Sequence, residues 1–335
     1  MVDLVACHPH QVRAATEAFA DTYFRRTPHR THMADMTVEE AMAAYGPSEI
    51  TRDDLLEVDD PAYTGENVAI VTGGANGIGR ATALAFAANG LTAVATDRDE
   101  DGLDEVTARA EALDLPGEVA GVPADLADDA DLERVVETAA DEGSVRYLLN
   151  VAGIQTVAPI ESFPVERYDL IHDVMQRAPL LLTKHCFPHF RDSEASTDAP
   201  ESRTESGGHG VVGNMCSVHG HVVTRDKVAY NTVKFGLRGL TQSIAAEGAG
   251  KVRAFTVSTA YVRTGLVARQ LPDTADRRDM TVDEVVEEVM LERTRADEMM
   301  EPYEVANLFV MGCSRHSKHL NGGDVTHEGG MSLTY

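Results

Sequence analysis

The stretch VAIVTGGANGIGRATALAF, Val68 to Phe86, decides the fold. An apolar run of strand character leads into Gly73, Gly77 and Gly79, and a helical segment follows at once. A glycine-rich turn between strand and helix lets backbone N–H groups and the helix N-terminus approach a pyrophosphate. A merely tight structural turn is the plainer alternative. Strand, turn and helix agree here on a dinucleotide site, with Gly73, Asn76, Gly77, Ile78 and Gly79 as its expected contacts.

Downstream, short apolar runs (VAIVT, TAVAT, EVAGVPAD, YLLNVAG, VVGNM and AFTVS) alternate with longer amphipathic stretches, one of them a helix from about Val228 to Glu247. This alternation implies βαβ crossovers, hence an α/β fold with a doubly wound parallel sheet covered on both faces. Residues 63–335 form one such domain. Residues 1–62 form an N-terminal extension whose role the sequence does not supply; its one helical piece, TVEEAMAAYG, has Thr37 as a capping-box start and Gly46 as a stop. RDSEASTDAPESRTESGGHG, residues 191–210, is nearly free of apolar side chains and reads as a solvated acidic insertion.

The charge balance is strongly acidic: 55 Asp and Glu against 29 Lys and Arg in 335 residues, a formal net charge of −26. Such a surface repels phosphate backbones and anionic lipid, so neither nucleic acid nor a membrane is an expected partner. Only five of the basic residues are lysines. At molar salt the Debye length is about 3 Å, so an acidic surface costs little there. The composition therefore fits a salt-loving source, or simply an acidic soluble protein of a GC-rich genome. No run of about 18 apolar residues and no basic-then-apolar leader is present, which makes cytoplasmic the expected location. Cys7, Cys186, Cys216 and Cys313 lie far apart, without the spacing of a zinc site or a disulfide framework.

The second apolar run ends in TAVATDRDE, which puts Asp97 where a carboxylate accepts hydrogen bonds from the adenosine ribose and repels a 2′-phosphate. NAD is thus favoured over NADP, although Arg98 next door softens the exclusion. Asp125, in PADLAD, either contacts the adenine together with Leu126 or caps the next helix.

Tyr230 and Lys234 are four apart in a helical segment and so share a face. An ammonium beside a phenol favours the phenolate and draws the tyrosine pKa down from about 10, which suits a general acid/base for a carbinol or carbonyl. Ser217, thirteen residues before Tyr230, follows the run VVGNM, and its hydroxyl can reach the same substrate oxygen.

The order TGGANGIG, Asp125, NVAG, Ser217, YNTVK resembles the short-chain dehydrogenase/reductase family over roughly residues 66–335. The resemblance implies a Rossmann fold, usually homotetrameric, with Tyr230 as acid/base, Lys234 lowering its pKa and binding the nicotinamide ribose, and Ser217 holding the substrate oxygen. It also implies that Asn150, Ala152 and Gly153 belong to the cofactor site and that Thr264 contacts the nicotinamide carboxamide. NVAGIQTVAPIESFPVERYD, SVHGHVVTRDKVAY and YVRTGLVARQ further resemble bacterial (R)-3-hydroxybutyrate dehydrogenases. That likeness implies a small 3-hydroxy acid whose carboxylate is held by Gln155, His219, Lys227 and Gln270, with Gln270 in a mobile segment. A carboxylate needs a cation and neutral donors, and these residues offer both. His219 and His221 also form a His-x-His pair, but no third metal ligand is evident.

Several positions depart from the family pattern. Met175 replaces an asparagine that helps hold a water-linked proton path, and a thioether cannot stand in for an amide as donor and acceptor. Val151 replaces the second asparagine of NNAG, Thr259 and Ala260 replace a Pro-Gly pair, and Tyr261 replaces a tryptophan over the substrate. An NAD-dependent hydroxybutyrate dehydrogenase is the first reading. The alternatives are a family member acting on another small alcohol or ketone, and a cofactor-binding subunit that has lost turnover.

Overall fold

The computed structural model describes residues 35–192 and 210–333. Most of the acidic insertion and the first part of the extension, Cys7 included, lie outside the described residues. Seven parallel strands form one sheet: β1 (Asn67–Thr72), β2 (Thr92–Asp97), β3 (Glu118–Pro123), β4 (Ser144–Asn150), β5 (Gly210–Met215), β6 (Val252–Thr259) and β7 (Asp324–His327). Their order is β3-β2-β1-β4-β5-β6-β7. The chain winds outward one way from β1 to β3 and the other way from β4 to β7. This doubly wound arrangement is the one expected from the sequence. The short β7 was not among the apolar runs, because DVTH is half-exposed and carries only one aliphatic side chain.

Helices cover both faces: α1 (Val38–Tyr45), α2 (Gly77–Ala88), α3 (Glu100–Ala112), α4 (Asp129–Glu142), α5 (Val165–His172), α6 (Ala178–Asp192), α7 (Val228–Glu247), α8 (Gly265–Arg278), α9 (Val282–Glu284) and α10 (Pro302–Cys313). A π-helical turn, Asp173–Arg177, joins α5 to α6, and another, Val285–Leu291, continues α9. Successive side chains of a strand point to opposite faces, and β1 shows it: Ala69 and Val71 enter one core, Val68 and Ile70 the other. The first core is closed by an aromatic trio, Tyr63, Phe86 and Tyr147, with ring centroids 5.7–6.2 Å apart.

The described part of the extension, from residue 35 on, does not stand apart from this body. Ile50 and Leu55 are buried in the same core as Ala69. Helix α1 begins with the capping box foreseen at Thr37, whose hydroxyl accepts from Glu40 N–H while the Glu40 carboxylate accepts from Thr37 N–H at 2.8 Å. Such a cap contributes about 1 kcal/mol.

Candidate active site

Strand order reverses between β1 and β4, and ligands of open α/β sheets bind beyond the strand ends at that point. A cleft of about 2160 Å³ lies there. It is lined by every sequence-derived site residue except Asn150.

The cofactor end is built by close backbone approach. Gly73 has φ +70°, and a Cβ there would stand 2.8 Å from Ala152 Cα; at Gly79 it would stand 2.0 Å from the Gly73 carbonyl oxygen. Both positions exclude any side chain. Asn76 precedes α2 but does not cap it; its amide donates to Asp99 at 2.9 Å. With that side chain turned away, the first N–H groups of α2 remain available to a diphosphate. Thr72 Oγ1 accepts from the N–H groups of Val151 and Ala152, at 3.0 and 3.1 Å, and so fixes the turn after β4 against the glycine loop. The end of β2 is equally fixed: Asp97 accepts from the N–H groups of Arg98 and Asp99, at 2.7 and 3.2 Å. Arg98 reaches across to Asp125 at 3.8 Å. The capping role left open for Asp125 belongs to Asp128, whose carboxylate accepts from Ala130 and Asp131 at the start of α4. This cradle, with its open helix N-terminus and its carboxylate at the end of β2, fits a nicotinamide dinucleotide.

Asn150 is placed differently from the expectation. It is buried, and its amide donates to Asn214 at 2.8 Å, which in turn donates to Thr241 on α7. It ties β4 to β5 and the helix that carries the tyrosine, and it does not line the cleft.

Ser217, Tyr230 and Lys234 meet at the centre. Ser217 leaves β5 into a single 3-10 turn, Val218–Gly220, while Tyr230 and Lys234 sit on one face of α7. The Ser217 hydroxyl hydrogen-bonds to Tyr230, which favours the phenolate, yet burial is the larger effect and pushes the phenol up to about 12. Lys234 Nζ donates to the Met215 carbonyl at 2.6 Å and lies 5.3 Å from the Tyr230 ring centroid. Burial brings the Lys234 ammonium down to about 8. The lowering expected from Lys234 is thus opposed by burial of the phenol, the largest cause of its shift.

His219 is buried edge-on to Tyr230, ring centroids 5.6 Å apart. Its Nδ1 is 3.2 Å from Ser217 Oγ and its Nε2 is 3.0 Å from Thr224 Oγ1. Burial, then the Lys227 and Lys234 charges, lower it to about 3, so the ring is neutral. Asn231 supports this chain by donating to the Thr224 carbonyl at 2.8 Å. Thr224 gave no signal in the sequence, since a threonine five residues after a histidine is unremarkable.

At the other end, Ala158 N–H donates to the Asp226 carbonyl at 2.8 Å, and Ala158 pairs with Lys227 in an isolated bridge. That pairing brings the loop carrying Gln155 against the residue carrying the ammonium. Partial burial and then the Arg278 charge lower Lys227 to about 8. Gln270 sits on a helix, α8, which carries Pro272 in its interior. Thr264 caps it, accepting from Val267 N–H at 3.3 Å. Arg269, Arg277, Arg278 and Arg293 also line the cleft and were missed, because arginines in an acidic sequence read as solvated surface. Met175, in the first π-helical turn, is buried at the cleft wall and its sulfur accepts from Ile154 N–H at 3.4 Å. His221 pairs with Asp324 at 2.6 Å.

The sheet, the glycine cradle and the Ser217, Tyr230 and Lys234 cluster define a dinucleotide-dependent oxidoreductase. The short chain dehydrogenase family model matches residues 67–275, and the chain belongs to that family, whose members bind NAD or NADP. It is 31% identical over 270 residues to an uncharacterised oxidoreductase of Bacillus subtilis, covering 80% of this chain and 98% of the other. It is 30% identical over 271 residues to a D-beta-hydroxybutyrate dehydrogenase of Rhizobium meliloti, covering 79% and 98%. Among solved structures, a putative NAD(P) dependent gluconate 5-dehydrogenase from Beutenbergia cavernae, with bound NADP at low occupancy, has a TM-score of 0.67 at 25% identity, covering 82% of this chain and 100% of the other. Among the described residues, no helix is long and apolar enough to cross a membrane.

Proposed function

We propose that the protein is an NAD-dependent dehydrogenase interconverting (R)-3-hydroxybutyrate and acetoacetate, or a closely similar 3-hydroxy acid. The observation that carries this reading is the Ala158–Lys227 bridge. It brings the loop that carries Gln155 against the residue that carries a partly desolvated ammonium, and both line the cleft, which supports a site for a small carboxylate. The D-beta-hydroxybutyrate dehydrogenase at 30% identity supports the same reading.

The bound cofactor supplies the hydride acceptor in oxidation and the donor in reduction. On oxidation, Tyr230 in its phenolate form takes the hydroxyl proton and becomes the phenol, while Ser217 orients that oxygen. His219, held neutral between Ser217 and Thr224, keeps the serine hydroxyl aimed. Lys234, anchored on the Met215 carbonyl, keeps a positive charge beneath the tyrosine ring. Lys227, Gln155, His219 and Gln270 hold the carboxylate, and Tyr261 closes the pocket. Asp97 favours NAD by repelling a 2′-phosphate. A homotetramer and a cytoplasmic setting go with this reading.

Lys227→Ala tests it. Apparent affinity for hydroxybutyrate falls by at least about tenfold with little change in NADH binding, as expected for removing one partner of a charge-assisted contact. Unchanged affinity would move the assignment to a neutral alcohol or ketone. Tyr261 in place of tryptophan is the feature that favours this second reading.

A further inference from the structure

Among the described residues, the extension also meets the body at the substrate end of the cleft, apart from the core packing of Ile50 and Leu55. Helix α1 ends without a basic residue in its last turn, and its terminal carbonyls therefore lack an internal cation. Arg263 supplies it from across the fold: its side chain donates to the Ala44 carbonyl at 2.8 Å and to the Gly46 carbonyl at 3.1 Å. The same guanidinium pairs with Glu301 at 3.0 Å, and Glu301 also accepts from the Ser48 N–H and hydroxyl, at 3.1 and 2.9 Å. Arg263 does not line the cleft, but it stands between Tyr261 and Thr264, which do.

The contacts continue along the wall. Tyr45 donates to Asp283, and Val282 N–H donates to Asp35 at 2.9 Å. Ala41 is wholly buried in a cluster with Leu271 and Ala275 of α8 and with Val282, Val285 and Met290, and Met36, Tyr45 and Tyr261 pack against it. Residues 35–48 thus reach three segments of the substrate side: the Tyr261–Arg263 turn, α8 with Gln270, and the Val282–Leu291 stretch. They make no comparable contact with the glycine loop. They also precede residue 67, where the family match begins.

We infer that residues 35–48 are a positioning element for the substrate site, with Arg263 as its hub. The element fixes α8 and Tyr261 in the placement that binds substrate, and it meets the dinucleotide end only through Thr264, the cap of α8. Its kinetic consequence rests on the dehydrogenase reading above; its structural consequence does not.

The test is Arg263→Met in the full chain, with Arg263→Lys as the conservative partner. Arg263→Met raises amide hydrogen exchange in Gly265–Arg278 by about tenfold or more, because the wall opens locally at lower cost. KM for (R)-3-hydroxybutyrate rises at least about fivefold, while kcat and NADH affinity stay within about twofold. Arg263→Lys recovers part of both effects. Should Arg263→Met fail to fold, Thr37→Ala, which removes the α1 cap far from the cleft, is read in the same way. Unchanged exchange in α8, or an equal loss of NADH affinity, overturns the inference. If hydroxybutyrate is not a substrate, exchange and NADH titration still decide it, so the two failures are distinguishable.

Discussion

The two ends of the cleft are built on different principles. At the cofactor end, backbone meets backbone: Gly73 against Ala152, Gly79 against Gly73, and Thr72 Oγ1 against two consecutive N–H groups. At the substrate end, side chains from distant segments meet, and arginines, glutamates and part of the extension share the wall. A backbone cradle tolerates few sequences and binds one ligand class. A side-chain wall can change with each member of a family, and here it has recruited residues that the family match does not include.

The largest expected effect separates chemistry from both ends. Tyr230→Phe removes the phenol proposed to act on the substrate oxygen and lowers kcat by about 10²- to 10⁴-fold. Fluorescence titration should show NADH affinity nearly intact, since the ring and the Lys234 anchor remain. A comparable loss of NADH binding would mean that the two ends are not separable as described.

A smaller effect sharpens the cofactor end. Asp97→Asn removes the negative charge at the end of β2 while keeping an acceptor for the Arg98 N–H. The proposed NAD-over-NADP preference in kcat/KM falls by about tenfold, on the scale of one charge-assisted contact. The ratio of R to S acid turnover stays put. A shift in that ratio would contradict the division of labour.

The smallest effect concerns stability. Lys234 is brought from 10.5 down to about 8 by burial, so between those values the unfolded chain holds a proton that the folded chain has released. Stability from this group therefore rises with pH across that window, by about 1.4 kcal/mol per unit at most. Urea unfolding of the wild type at pH 7.5 and 9.5, set against Lys234→Met, should show the wild type gaining relative to the variant. A difference independent of pH would mean that the lysine is not desolvated.

The same contrast explains what the sequence made legible. The glycine loop, six of seven strands, the Val228–Glu247 helix and the Tyr230–Lys234 face each depend on local spacing, and local spacing is written in the chain. Thr37 and Gly46 were readable for the same reason. Asn150 was misplaced because a strand residue's direction depends on its register with β5, where Asn214 receives it. Burial of Tyr230 and Lys234 could not be read, because spacing shows that two groups are close but not how far each is desolvated. Arg263, Thr224 and the arginines of α8 acquire meaning only from contacts made by the folded chain, and no periodicity announces those.

The central claim is that this cleft takes a small 3-hydroxy acid by its carboxylate. It is tested most directly by NADH formation from (R)-3-hydroxybutyrate, its S enantiomer and a neutral secondary alcohol, each at low and at molar salt. Turnover confined to the R acid is the predicted result, and it would also show that Met175 is compatible with proton transfer. Turnover of the neutral alcohol at an equal or higher rate would contradict the claim.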